Sequence, residues 1–127
     1  MEITEVLDAI NMGLKDALLE SDRQTGKTTA ILYAIDNLPN KEVLLVVSTN
    51  HQLGVLEPVI SKHNNVKLVT ARDIRDRRLV GCIFDIIIVD DYWFSANFTN
   101  EKRFYQFFDG IFYIKSYNKD IQYIKVT

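Results

Sequence analysis

The sequence has a single cysteine, Cys82, so no disulfide can form within the chain. Set before an apolar run, that thiol reads as a small buried hydrophobe in a reducing compartment rather than as a nucleophile. His51 and His63 are the only histidines, and neither stands at metal-ligand spacing from the other or from Cys82, which excludes a zinc site built on them. No apolar run approaches the ~20 residues that cross a bilayer, and Glu2 and Glu5 stand where a secretory leader carries positive charge. Both absences predict a cytoplasmic protein with no membrane partner. Positive charge is also in short supply: 15 Lys and Arg against 17 Asp and Glu leave a net charge of −2. That balance speaks against a strongly basic nucleic-acid clamp while permitting a local basic patch.

What is present is an ordinary globular composition, 47% hydrophobic and 25% charged, with no repeat, low-complexity segment or linker. A chain of 127 residues is expected to form one domain, residues 1–127, and to bury about two-thirds of its unfolded surface. Ile3, Val6, Leu7 and Ile10 recur at spacings of three and four, predicting a helix from Glu2 to about Met12, with Gly13 as its stop. A second helical pattern runs from Lys27 to about Asn37 and ends at Leu38-Pro39-Asn40. The unbroken apolar run from Glu42 to Thr49 reads as a central parallel strand covered on both faces. A helix from about Gln52 to His63 follows, with Pro58 implying a kink or a late start. After it come a strand at Val66 to Val69, a short polar helix from Ala71 to Arg78, and the clearest strand of all, Ile83 to Val89.

Strand alternating with helix makes the fold class α/β, with a mostly parallel sheet of about five strands flanked by helices. Beyond Val89, residues Asn100 to Asp109 read as a helix carrying Phe104, Phe107 and Phe108, and Ile111 to Lys115 and Ile121 to Val126 read as strands. The gap between those two runs is too short for a parallel crossover, so pairing with each other would make them a C-terminal antiparallel hairpin.

The stretch around which the chain is organised is Ser21-Asp22-Arg23-Gln24-Thr25-Gly26-Lys27-Thr28-Thr29. It matches the Walker A pattern, with Ser21 in place of the first glycine. In such a loop backbone N–H groups cradle phosphates, the lysine reaches the outer phosphates and the hydroxyl binds magnesium. The loop has to link a strand to a helix, which calls for a short strand at about Ala17 to Glu20, although the stretch from Lys15 to Glu20 locally favours helix. Asp90-Asp91, closing the apolar run Ile86 to Val89, supplies the complementary Walker B tip. Phosphoryl-transfer sites hold Mg²⁺ between a loop hydroxyl and such a carboxylate. The pairing predicts ATP and Mg²⁺ as ligands, with Lys27 on the β and γ phosphates, Thr28 and Asp90 on the metal, and Asp91 orienting the attacking water.

Arg23-Gln24-Thr25-Gly26-Lys27-Thr28 resembles the Walker A of large terminase subunits, the phage DNA-packaging motors, and the stretch through about residue 93 resembles the first RecA-like (ASCE) domain of superfamily 1 and 2 helicases. Val46 to Leu53 falls where those families place a strand and a nucleic-acid-contacting motif. The resemblance implies a three-layer P-loop NTPase fold, ATP hydrolysis, DNA as a partner, and a phage or mobile-element protein of DNA packaging or metabolism, in the host cytoplasm if phage-encoded. It also implies that Arg23 stabilises charge in cis; the plainer reading of Arg23 is a solvated loop side chain. Those families usually carry Asp-Glu at the second motif, and here the base position is Asp91, one methylene shorter. A carboxylate about 1 Å short can cost ~100-fold in rate, so hydrolysis is expected to be slow. A chain of this length also has no room for a second RecA-like domain, so the resemblance implies a protein partner or self-association that completes the site.

The alternative function is a nucleotide-dependent protein-binding module with negligible turnover. Arg72, Arg75, Arg77, Arg78 and Arg103 are candidates for a trans arginine or for phosphate contacts, and more simply are solvated helix charges. Tyr92, Trp93, Phe94 and Phe98 read as core or interface aromatics, and Ser116 falls where related enzymes place a residue that senses the γ-phosphate.

Overall fold

The computed structural model describes residues 1–20, 26–79 and 81–127. In chain order the elements are α1 (Glu5–Asn11), β1 (Asp16–Leu19), α2 (Lys27–Asp36), β2 (Val43–Val47), α3 (Asn50–Ile60), β3 (Val66–Thr70), α4 (Ala71–Arg75), β4 (Ile86–Val89), α5 (Tyr92–Ser95), α6 (Glu101–Ser116) and β5 (Gln122–Val126). The five strands form one sheet in the order β1-β5-β4-β2-β3, and every pairing is parallel. Strands β2 and β4 are buried along their whole length, as unbroken Val, Leu and Ile runs demand when helices cover both faces. One face packs Leu45, Ile86, Ile88 and Ile124 against α1, α2 and α3; the other packs Leu44, Val46, Ile87 and Tyr123 against α4 and α6.

Residues Asp16–Leu19 form the strand that the loop reading requires. Their helical propensity loses to a parallel ladder with β5, in which the Thr127 amide donates to the Leu19 carbonyl at 3.0 Å and the Tyr123 amide to the Lys15 carbonyl at 2.9 Å. Helix α3 starts earlier than its proline suggests, because the Thr49 hydroxyl caps it by accepting from the Gln52 amide at 3.2 Å. Pro58 then falls in the last turn, where little helix remains to be broken.

The C-terminal hairpin does not form. Residues Ile111 to Lys115 are helical, continuing α6 to Ser116, and β5 lies parallel between β1 and β4. The physical reason is the buried stripe Phe107, Gly110, Ile111 and Ile114, whose spacing of three and four suits a helix lying on the sheet. Gly110 lets α6 cross α4 closely: a β-carbon there would overlap the Ile74 carbonyl. Asn118 anchors the end of this crossover. Its side chain accepts from the Phe84 amide at 2.6 Å and donates to the carbonyls of Cys82 and Ile114.

Candidate functional site

The carboxyl ends of parallel strands are where α/β sheets gather ligand-binding groups. Here β1 leads toward the loop and β4 ends at Asp90-Asp91, with the single strand β5 between them. Two strand spacings of ~4.8 Å put the tips of β1 and β4 about 10 Å apart.

Gly26 opens α2 in the left-handed region at φ 90°, which a residue with a β-carbon adopts only at a cost. It also lies under the chain start: a β-carbon at Gly26 would come within 3.0 Å of the Met1 carbonyl oxygen. With no side chain at this cap, the first N–H groups of α2 gain no partner from it and carry the helix's partial positive charge. Lys27 follows, only 8% exposed, with Thr28 half-buried and Thr29 exposed. The roles expected of Ser21, Asp22, Arg23, Gln24 and Thr25 concern residues outside those described.

Asp90 is 3% exposed. Its amide donates to the Val46 carbonyl at 2.9 Å, holding the strand tip in register with β2, and its own carbonyl accepts from the Ser95 hydroxyl at 2.7 Å. Burial pushes its carboxyl above the ordinary carboxylate range, and the neighbouring charge of Asp91 pushes the same way. The Asp91 amide, the positive charge of Lys27 and a hydrogen bond from Gln52 oppose the rise. Lys27 and Asp90 thus share one electrostatic environment, although they lie on different elements.

Asp91 is exposed and left-handed, at φ 50° and ψ 58°, at the N-cap of α5. Asp is one of the few residues with a side chain that tolerates this conformation. The turn sends the chain away from the sheet at once, so the two consecutive carboxylates occupy unlike settings, one buried and one in solvent.

The residue that sequence reasoning missed is Gln52. Its side-chain amide donates to Asp90 Oδ2 at 2.9 Å, while its oxygen accepts from the Ser48 hydroxyl at 2.9 Å and from the Ser48 amide at 3.2 Å. The available signal is Thr49-Asn50-His51-Gln52, the spacing of a capping box. The hydroxyl half of that box forms, while the glutamine side chain turns to Ser48 and Asp90.

Of the other expected groups, Ser116 is not brought to this edge. Ser116 ends α6, exposed, with its hydroxyl donating to the Tyr113 carbonyl, because the segment expected as a strand is a helix that carries it to the opposite end of the sheet. Of the arginines, Arg72 pairs with Asp76 at 3.6 Å, Arg78 with Asp73 at 2.7 Å, and Arg77 with Asp109 at 3.8 Å while lying over the Tyr113 ring. Arg75 and Arg103 stand close enough for their charges to repel. Trp93, Phe94 and Phe98 are exposed beside Asp91, so they are not core residues. Among the described residues no cluster of three His, Cys, Asp or Glu side chains could hold a metal by itself.

Neither the family models nor the curated proteins searched give a match to this chain. Among the described residues no helix is long and apolar enough to cross a membrane.

Proposed function

We propose that this chain is a P-loop NTPase that binds ATP with Mg²⁺ at the carboxyl edge of its sheet and hydrolyses it slowly unless a partner completes the site. The observation that carries the reading is the buried pair: Lys27 in the first turn of a helix opened by a left-handed glycine, and Asp90 on a strand tip, its carboxyl within the field of that lysine. A lysine and a helix N-terminus favour phosphate. A desolvated carboxylate held with its charge only partly compensated favours a cation. Magnesium accepts one or two carboxylates together with substrate phosphates, so Asp90 with the Thr28 hydroxyl is a fitting donor set.

When bound, Mg²⁺ would neutralise charge on the β and γ phosphate oxygens. Lys27 then holds those phosphates, Gly26 gives their oxygens close approach to the backbone, and Asp91 orients the attacking water from its exposed position. The likeness of Arg23-Gln24 to terminases adds DNA as a partner and a setting in phage or mobile-element DNA packaging or metabolism, with a RecA-like core and a cytoplasmic location. A specific observation favours the alternative, a nucleotide-dependent binding module: beside the short Asp91, the rings of Trp93, Phe94 and Phe98 face solvent, as a docking surface for a protein partner would.

The test is calorimetric titration of the wild type and Lys27→Ala with Mg·ATP, followed by phosphate release with and without single- and double-stranded DNA. Binding by the wild type and its loss in the variant are expected; equal affinity for both overturns the nucleotide reading. Binding without turnover under any of these conditions selects the binding module.

A further inference from the structure

On the face of the sheet opposite α2, a cavity of about 390 Å³ runs along β5 beneath α6. That volume lies within the range of small-molecule sites. Phe107, Tyr123 and Tyr92 line it, and Phe108 and Phe112 stand at the mouth, 58% and 60% exposed. The last two lie outside the buried stripe of α6, on turns where a helix facing only water would carry charge.

The polar end of the cavity is not neutral. Lys125, with its side chain only 17% exposed, pairs with Asp16 at 2.7 Å, and Lys115 approaches the same carboxylate at 3.8 Å. Both ammonium groups also lie over the Tyr123 ring, at 5.0 and 5.2 Å. Burial and the neighbouring Tyr92 and Asp16 push the Tyr123 hydroxyl far above its ordinary range, so it stays neutral and cancels none of this charge. Two cations thus share one anion, and the more loosely held of them, Lys115, opens onto an aromatic chamber.

We infer that this cavity is a binding site for a small aromatic anion, a one- or two-ring compound bearing a carboxylate or sulfonate, with its rings among Phe107, Phe108 and Phe112 and its charge on Lys115. A neutral occupant would fill the chamber and leave the excess of two ammonium groups over one carboxylate uncompensated. The inference does not depend on the nucleotide site, since the cavity and α2 are on opposite faces of the sheet.

The probe is 1-anilinonaphthalene-8-sulfonate, titrated by fluorescence into the folded full chain, with N-phenyl-1-naphthylamine as the same ring system lacking the charge. One anionic probe per chain is expected, with a dissociation constant of order 10 µM for a ligand of this size. Lys115→Met should weaken the anionic probe about tenfold and leave the neutral one unchanged. Phe112→Ser, at an exposed position, should weaken both, and 1-naphthoate should displace the anionic probe. Equal affinity of the anionic probe for wild type and Lys115→Met overturns the inference, as does a stoichiometry above one per chain. Competitive displacement by Mg·ATP also overturns it, by assigning the cavity to the nucleotide. So does a dimer, detected by sedimentation and dissolved by Phe112→Ser, that binds no probe, because a second copy would then cover the face.

Discussion

Gln52 holds Asp90 in one orientation. The Ser48 amide can only donate, so the Gln52 oxygen must face it, and the Gln52 NH₂ is thereby aimed at Asp90 Oδ2, 2.9 Å away. Helix α3 and the tip of β4 are joined through one side chain. Replacing Gln52 by Leu strands partners on both sides and should lower stability by about 1–3 kcal/mol in chemical denaturation. Gln52→Glu keeps the shape and sets a second carboxylate against Asp90. It should weaken Mg²⁺-dependent nucleotide binding about tenfold, the effect of one pKa unit, while leaving metal-free nucleotide binding nearly unchanged.

Asp90 gives the protein a pH dependence of definite sign. Its carboxyl is raised in the fold by burial and by Asp91, so the folded state holds that proton more tightly than the unfolded chain. Its contribution to stability is therefore fully present below the ordinary aspartate range and is lost as pH rises through the raised value. Asp90→Asn should remove this decline and raise the melting temperature at neutral pH without ligand, while abolishing the gain in melting temperature that the nucleotide reading expects of the wild type with Mg·ATP. Thermal melts across pH ~4 to ~8 measure both.

Gly110 is fixed by contact rather than by conformation. Alanine has the higher helix propensity by about 1 kcal/mol, yet its β-carbon would overlap the Ile74 backbone, which has no rotamer by which to move aside. Gly110→Ala should be destabilising by about 1–3 kcal/mol. A more stable variant would show that α4 and α6 can separate at no cost.

Gly26→Ala combines two penalties. A β-carbon in the left-handed region costs about 1–2 kcal/mol, and here it also presses on the Met1 carbonyl. Reduced stability with weakened phosphate binding is expected, and removal of Met1 should restore part of the stability and none of the backbone preference.

Asp91→Glu adds the methylene that the water-orienting role proposed for Asp91 lacks. ATP turnover should rise, by up to about 100-fold, with little change in ATP affinity. A rise in affinity without faster turnover would assign Asp91 to binding instead.

How far the fold could be read from the sequence depended on where the decisive contact lay. The runs at β2 and β4 are legible because burial on both faces leaves an unbroken aliphatic signature. Asp16–Leu19 has no such signature, and only the loop's need for a preceding strand identified it; the partner that makes it a strand is β5, far away in sequence. Ile111 to Lys115 misleads for the opposite reason. Its β-branched and aromatic residues suit a strand, and Gly110 looks like a break until α4 is seen to need the space. At the candidate site, Lys27 and Asp90 could be picked out because the chemistry proposed for them is written in short motifs, and the structure shows that both are buried. Gln52 is not, since a capping glutamine and a carboxylate-holding glutamine have the same spacing.

Among the described residues β1 is an edge strand, and its one neighbour in the sheet is β5. The strand that leads toward Gly26 and Lys27 joins its ladder only when Gln122–Val126, far along the chain, lies beside β4. Pairings of such large sequence separation are slow to form. The Gly26 and Lys27 edge of the sheet is consequently expected to assemble late, and protection of β1 amides from hydrogen exchange should lag behind that of β2 and β4 during refolding.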